Sequence, residues 1–253
     1  MKTIEEVYNT EIDCSTCGNT RRIRYVDPIL GNREQSCKCV GYKKNIEKLK
    51  RSRIPKRYLG YDFSDYIHEV GDKNAWAANK KAHTAIVDVV SQHSVVVENA
   101  IDNLIYGGKS CGKTMMGCIM LKQLILEHGY SGVFITSDEL ITLAMDHARY
   151  ERASTLDEIL DVDFLLIDNF HKLAVLDTLK INDNARLVLD DFFSKRKNNG
   201  KCFILTSIMS VEALLKKKRF IIEMAYTIIR HTLHGCYGME ARRNNISKLK
   251  LGD

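Results

Sequence analysis

The sequence has only two prolines among its 253 residues, Pro28 and Pro55, and both lie in its first quarter. Because proline interrupts helices and central strands, the rest of the chain is free to form regular secondary structure. No run of apolar residues approaches the roughly 20 that cross a membrane. The first residues are acidic and lack the apolar core of a signal peptide. These absences predict a soluble, cytoplasmic protein without a membrane partner.

Charge is distributed unevenly along the chain, whose formal net charge is +6. Residues 1–60 carry 14 Lys/Arg against 7 Asp/Glu, and residues 201–253 carry 10 against 4, so the centre of the chain is acidic. Basic ends indicate contact with a polyanion such as nucleic acid. The alternative is a solvated surface on which lysines happen to be unevenly spread.

Short apolar runs alternate with helical patterns from residue 95 onward. Strands are predicted at 95–97, 104–106, 133–136, 164–167 and 202–205. Helices are predicted at 74–90, 115–127, 138–149, 184–197 and 211–218. This alternation is typical of a parallel sheet that is covered by helices on both faces. The sequence therefore predicts an α/β fold.

A phosphate-binding loop is predicted between the second strand and the helix that follows it, because residues 107–114 fit the pattern G-x-x-x-x-G-K-[ST]. Backbone N–H groups of such a loop, and the N-terminus of the next helix, bind phosphate oxygens. Lys113 is predicted to reach the β- and γ-phosphates of ATP, and Thr114 to place its hydroxyl on Mg²⁺. The predicted ATP-binding residues are Gly107, Gly108, Lys109, Ser110, Cys111, Gly112, Lys113 and Thr114.

An acidic residue, Asp168, ends the buried run 164–167 and is predicted to hold the Mg²⁺ shell. Asn169 follows it, at a position where many ATPases of this general type have a glutamate that deprotonates the attacking water. An asparagine can hold a water molecule by hydrogen bonds but cannot accept its proton. We therefore predict a P-loop ATPase that hydrolyses ATP slowly, or uses ATP mainly as a switch.

Four cysteines near the N-terminus form two close pairs, a C-x-x-C and a C-x-C separated by 19 residues. These are Cys14, Cys17, Cys37 and Cys39. Four thiolates in this arrangement suit tetrahedral Zn²⁺, which would order a segment too polar to form an aliphatic core. Unpaired thiols and a redox pair are the alternatives. Cys118 and Cys202 fall in apolar runs and are predicted to be core thiols.

The ordered set of motifs resembles the DnaC/DnaI-type replicative helicase loaders and the related IstB-type transposition ATPases. The resemblance covers most of residues 14–243. It is carried by the cysteine pairs, the segment Ser52–Tyr58, the phosphate loop, and the segments 134–140, 164–168, Arg196 and 203–207. It implies an AAA+ ATPase domain at residues 61–253, preceded by a small zinc-binding, helicase-interacting domain and linker at residues 1–60.

The resemblance also implies partners and further site residues. The N-terminal domain would dock on a hexameric replicative DNA helicase, and the ATPase domain would help to open or hold its ring and contact single-stranded DNA. Thr206 or Ser207 would sense the γ-phosphate, and Arg242 would be a second sensor. Self-assembly is left open, because the Ser-Arg pair that usually supplies an arginine finger is absent and Arg230 is the nearest candidate. The source, bacterial or viral, is also open.

Other functions remain as alternatives. One is an IstB-like transposition helper ATPase, and another is an ATP-binding DNA adaptor with little hydrolysis, which Asn169 favours. A metabolic P-loop kinase is disfavoured, because zinc-binding cysteines in such kinases lie in a lid after the phosphate loop. The basic run 216–219 is interpreted as a solvated helix end or as a contact to single-stranded DNA, and His171 as a packing or loop residue.

Overall fold

The structure is a computed structural model that describes residues 3–8, 14–18, 20–27, 31–67, 73–150, 155–173, 183–215 and 236–239. The helices are α1 (Ile4–Tyr8), α2 (Lys38–Arg51), α3 (Lys56–Leu59), α4 (Lys73–Ser91), α5 (His93–Glu98), α6 (Lys113–Leu126), α7 (Ser137–Tyr150), α8 (Thr155–Leu160), α9 (Asp183–Asn198) and α10 (Val211–Leu215). The strands are β1 (Arg22–Asp27), β2 (Gly31–Ser36), β3 (Asn103–Gly107), β4 (Gly132–Thr136), β5 (Phe164–Asp168), β6 (Cys202–Ser207) and β7 (Cys236–Met239).

Five parallel strands form the central sheet in the order β4-β5-β6-β3-β7. Alternate residues of each strand point to opposite faces. In β5, Leu165 and Ile167 pack in a core with α7, α8 and α9. Phe164 and Leu166 pack on the other face in a core that includes α6. Both faces are therefore covered, and the predicted α/β fold with a parallel sheet is confirmed.

One predicted strand is wrong. Residues 95–97 lie in helix α5, where the Val96 N–H bonds to the Gln92 carbonyl and the Asn99 N–H to the Val95 carbonyl. Three consecutive valines favour a strand, but only Val96 is buried, while Val95 is 48% exposed. The segment has no strand partner in the described residues, so local helical hydrogen bonds satisfy its backbone. The other predicted strands and helices are confirmed, although residues 216–218 of the last helix lie outside the described residues.

The N-terminal part contains a separate two-stranded antiparallel hairpin, β1–β2, followed by the basic helix α2. Helix α2 packs on α6, and Asn45 Nδ2 donates to the Leu126 carbonyl at 2.9 Å. The Phe134 N–H of edge strand β4 donates to the Ser52 carbonyl at 2.7 Å. The division of the chain at residue 60 stays a prediction, and these contacts cross it. Within the described ranges, no helix combines the length and the apolar character needed to cross a membrane.

Candidate functional site

The predicted phosphate loop connects the end of β3 with the start of α6. Three of its residues have a positive φ, Gly107 at 152°, Ser110 at 60° and Gly112 at 92°. Such alternation turns successive N–H groups toward one side, which makes a concave site for anionic oxygens at the helix N-terminus. Lys113 is largely buried, and its Nζ donates to the Gly108 carbonyl at 2.5 Å. The side chain of Lys113 therefore folds back over the loop that precedes it.

Tyr66 supports the loop from a distant part of the chain, and sequence reasoning missed it. Its hydroxyl donates to the Cys111 carbonyl at 3.1 Å. A Cβ at Gly112 would lie 3.0 Å from Tyr66 Cε2, so the loop and the ring are in close contact. Lys122, buried in α6, fixes the chain just before Tyr66, since its Nζ lies 2.7 Å from Asp62 Oδ1. No local pattern in the sequence signals a contact between residues this far apart.

The carboxylate of Asp168, at the end of β5, accepts three side-chain hydrogen bonds. Thr114 Oγ1 donates to its Oδ1 at 2.8 Å, and Thr206 Oγ1 donates to the same oxygen at 2.5 Å. Asn169 Nδ2 donates to Oδ2 at 3.2 Å. Since β6 lies between β5 and β3, the end of β6 places Thr206 between the acidic strand and the loop. The structure thus brings together the predicted residues Thr114, Asp168 and Asn169.

The donor set of this site fits ATP and Mg²⁺. Hydroxyl and carboxylate oxygens are the ligands that Mg²⁺ prefers, and Thr114 and Asp168 present both within hydrogen-bonding distance of each other. The loop N–H groups and Lys113 would hold the phosphates. Bound ATP·Mg²⁺ would supply the phosphoryl group, while this chain's residues would position and neutralise it.

Asn169 has a constrained conformation at this site, with φ 60°. Its backbone N–H donates to Thr206 Oγ1 at 3.0 Å, and its side-chain amide donates to the carboxylate of Asp168. Asparagine tolerates the left-handed region better than most non-glycine residues. The residue at the position of a general base is therefore a hydrogen-bonding group that fixes the carboxylate beside it.

Ser207 is turned away from this network. Its Oγ donates to the Met209 carbonyl and accepts from the Met209 N–H, both at 2.9 Å, so it caps the turn after β6. Of the two sensor candidates, Thr206 is the one that contacts Asp168. Arg242, Arg230 and the basic run 216–219 lie outside the described residues.

Two other residues singled out in the sequence, His171 and Arg196, contact backbone groups of neighbouring segments. His171 Nδ1 accepts from the Ile208 N–H at 3.4 Å, and burial lowers the pKa of His171. Arg196 is fully buried, and its guanidinium lies over the ring of Phe203. It donates at 2.8–3.0 Å to the carbonyls of Ile159, Leu160, Val162 and Cys202. Arg196 therefore connects the end of α8 and the loop before β5 to strand β6, and in the described part of the chain it makes no contact with the phosphate loop.

The four N-terminal cysteines converge at the base of the β1–β2 hairpin, with all four sulfurs within 4.8 Å of one another. Cys14 Sγ lies 3.6 Å from Cys37 Sγ, and Cys17 Sγ lies 3.7 Å from Cys39 Sγ. Tetrahedral Zn²⁺ with Zn–S bonds of about 2.3 Å requires sulfurs about 3.8 Å apart. The cluster therefore has the composition and spacing of a structural zinc site.

The electrostatics of the cluster also favour a cation. The Cys17 backbone N–H, followed by neighbouring thiols, lowers the pKa of Cys14 to about 6. Burial and the surrounding sulfurs raise the pKa of Cys39 to about 12. One thiolate thus forms readily, whereas further thiolates repel one another. A bound Zn²⁺ would reverse this balance, because a coordinating thiol is deprotonated outright.

Comparison with solved structures identifies proteins of similar fold. The chain resembles the DnaC helicase loader (TM-score 0.51, 19% identity, covering 74% of this chain and 99% of that chain). It also resembles DnaI (TM-score 0.54, 17% identity, 74% and 94%). A third match is AMPPCP-bound DnaA from Aquifex aeolicus (TM-score 0.52, 17% identity, 79% and 54%). No protein-family model matches the sequence, and a search of curated proteins found no match.

Identities below 20% show the fold and not the activity. The sequence motifs resemble those of helicase loaders. The structure is also similar to DnaC and DnaI, along nearly the full length of those two chains. The AAA+ prediction agrees with this likeness and with the parallel sheet. The chain therefore shares its fold with DnaC, DnaI and the matched part of DnaA.

Proposed function

We propose that this protein is an ATP-binding loader of a hexameric replicative helicase, which it delivers or opens at the initiation of DNA replication while contacting single-stranded DNA. The observation that carries the proposal is the convergence of Thr114 and Thr206 on Asp168 beside an intact phosphate loop. This arrangement occurs in a fold that the chain shares with DnaC and DnaI. The four-cysteine cluster adds the zinc domain expected of such a loader.

The site contains the groups that bind a nucleotide. The loop geometry, Lys113 and the Thr114–Asp168 pair supply groups that would hold the phosphates and Mg²⁺. Structures of DnaA, whose fold is similar, contain AMPPCP, and one also contains single-stranded DNA. We propose that ATP and single-stranded DNA are ligands of this chain also, and that it is a slow ATPase because Asn169 cannot accept a proton.

A second candidate function is an ATP-binding DNA adaptor that scarcely hydrolyses ATP. The observation that favours it is the hydrogen bond that Asn169 Nδ2 donates to Asp168 Oδ2 at 3.2 Å, because this amide is then not free to hold a water molecule. In that case ATP would stabilise one conformation, and no turnover would be needed. The two candidates differ in their partner, since only the loader binds a replicative helicase.

Capture of the replicative helicase from the same source is the experiment that tests the loader function. Deleting residues 1–60 is unsuitable, because Ile46, Leu49 and Leu59 are buried in the folded chain. The full chain should instead be compared with a Cys14→Ser/Cys17→Ser double variant and with Lys113→Ala. We expect capture by the unaltered chain, and its loss in the double variant. Failure of the unaltered chain to bind the helicase with ATP, with ADP or without nucleotide would contradict the loader function and leave the adaptor.

A further inference from the structure

The β1–β2 hairpin has no hydrophobic core of its own. All six residues of β2 are exposed, and in β1 Val26 is 73% and Tyr25 is 44% exposed. The strands are joined by the antiparallel ladder, and the hairpin base is tied to the cysteine cluster by the Cys37 N–H, which donates to the Arg21 carbonyl at 2.9 Å. A small sheet open to solvent on both faces contributes little to stability, so its side chains are available for a partner.

The two faces of the hairpin differ in charge. On one face, Glu34 forms ion pairs with Arg22 at 3.0 Å and Arg24 at 2.6 Å. On the other face, the register places Tyr25 directly opposite Arg33. Within the described ranges Arg33 forms no ion pair. This second face, which we call the Tyr25–Arg33 face, therefore presents an exposed aromatic ring beside an arginine that forms no ion pair in the described residues.

Positive charge continues from the hairpin into helix α2. Residues 20–57 carry 13 Lys/Arg and only 3 Asp/Glu. One of these acids is the paired Glu34, and another, Glu47, pairs with Lys50 at 2.8 Å. Lys43 and Lys44 are exposed on α2 and make no direct ion pair in the part of the chain that the structure describes. The hairpin and α2 thus form one basic stretch, and the partner that this charge complements is a polyanion.

We propose that the Tyr25–Arg33 face binds single-stranded DNA, with the lysines of α2 continuing the track for its phosphates. Sites for single-stranded nucleic acid combine a basic surface with aromatic rings on which bases stack, and this face offers both. Tyrosine and arginine also occur at protein interfaces, but lysine is depleted there, so the lysines that continue the track along α2 favour a polyanion. The inference rests on the proposed function, which makes single-stranded DNA the polyanion that this protein meets. It assigns the DNA contact to the N-terminal part of the chain.

The test measures binding of a fluorescently labelled 20-nucleotide oligothymidine to the full-length protein with ATP·Mg²⁺, by fluorescence anisotropy over a range of salt concentrations. Tyr25→Ala is expected to weaken binding about fivefold or more, whereas Tyr25→Phe, which keeps the stacking ring, retains the affinity. Arg33→Glu is expected to weaken binding and to reduce the slope of log K against log salt by about 0.7 or more. Lys80→Glu, the same charge reversal at an exposed site on α4, is the matched control and changes neither.

Zinc content and circular dichroism establish that each variant is folded, and helicase capture by the same variants separates the two proposals. Weaker DNA binding with retained helicase capture supports both the DNA site on the hairpin and the loader function. Weaker DNA binding by Tyr25→Ala, in a protein that captures no helicase at all, supports the DNA site and contradicts the loader function. Unchanged DNA binding with lost helicase capture overturns the inference, because the face then docks a protein. An equal loss in Lys80→Glu overturns it too, since only net charge would matter.

Discussion

The hydroxyl of Thr206 lies 2.5 Å from Oδ1 of Asp168, the carboxylate oxygen that also accepts from Thr114. Thr206 is the penultimate residue of β6, Asp168 ends β5, and Thr114 belongs to the helix that follows the phosphate loop. One oxygen thus connects three elements, so a ligand that draws Thr114 toward Mg²⁺ alters the hydrogen bonding of Thr206. The arrangement gives a physical route by which a bound γ-phosphate could be sensed at the end of β6.

Replacing Thr206 by valine, which keeps the shape and removes the hydroxyl, is expected to lower the rate constant of ATP hydrolysis about tenfold or more. A buried acceptor that loses its donor costs about 1–3 kcal/mol, and Asp168 would be less well positioned for Mg²⁺. Phosphate release under saturating ATP measures the effect. Ser207→Ala is the matched control and is expected to change the rate less than twofold, since Ser207 caps only the following turn. A larger loss in Ser207→Ala would make Ser207 the sensor.

The contrast between Thr206 and Ser207 shows what the sequence could and could not predict. The positions of the predicted phosphate loop between β3 and α6 and of Asp168 at the end of β5 were predictable, because each is marked by residues close to it in the chain. The choice between two neighbouring hydroxyls depends on which one faces β5, and an apolar run does not specify that register. Tyr66 was not predictable, because its contact with Cys111 joins segments 45 residues apart. Three consecutive valines, Val95–Val97, favour a strand by propensity, although their position in the fold makes them helical.

Asn169→Glu is expected to increase ATP hydrolysis, because it places a carboxylate at the position of a general base. General-base catalysis contributes about 10²–10⁴-fold, and we expect a gain of about tenfold because the geometry of the introduced carboxylate is not optimised. The gain is limited by the left-handed backbone at this residue, φ 60°, which glutamate tolerates less well than asparagine. Phosphate release and nucleotide affinity should be measured together.

Asn169→Gly is the control for that substitution. It relieves the backbone constraint and removes the hydrogen bond from the amide to Asp168, but it adds no base. We expect no gain in turnover from it. If Asn169→Gly and Asn169→Glu increased hydrolysis equally, the limiting factor would be the amide on Asp168 and not the missing base.

Gly112→Ala is expected to abolish nucleotide binding. An alanine Cβ would lie 3.0 Å from the ring of Tyr66, and φ of 92° is a backbone conformation that L side chains rarely adopt. The loop must therefore change shape, and its N–H groups no longer converge on phosphate. Binding of a fluorescent ATP analogue measures the loss. Gly41→Ala, in α2 with no neighbour within 4 Å of the added Cβ, should retain binding and stabilise the protein by about 0.5–1 kcal/mol. Wild-type affinity in Gly112→Ala would contradict the close fit between loop and Tyr66.

The four cysteine sulfurs lie within 4.8 Å of one another, with two of the distances at 3.6 and 3.7 Å, which suits tetrahedral Zn²⁺. Protein purified without chelator is expected to contain one zinc per chain by elemental analysis, and Cys37→Ser to contain little. The hairpin has no core to replace the metal, so its order should be lost together with the zinc. Acidification should release the metal as the thiolates are protonated. Cys118→Ala, at a buried thiol of α6, should keep its zinc. Zinc retained in Cys37→Ser would show that the metal is bound elsewhere.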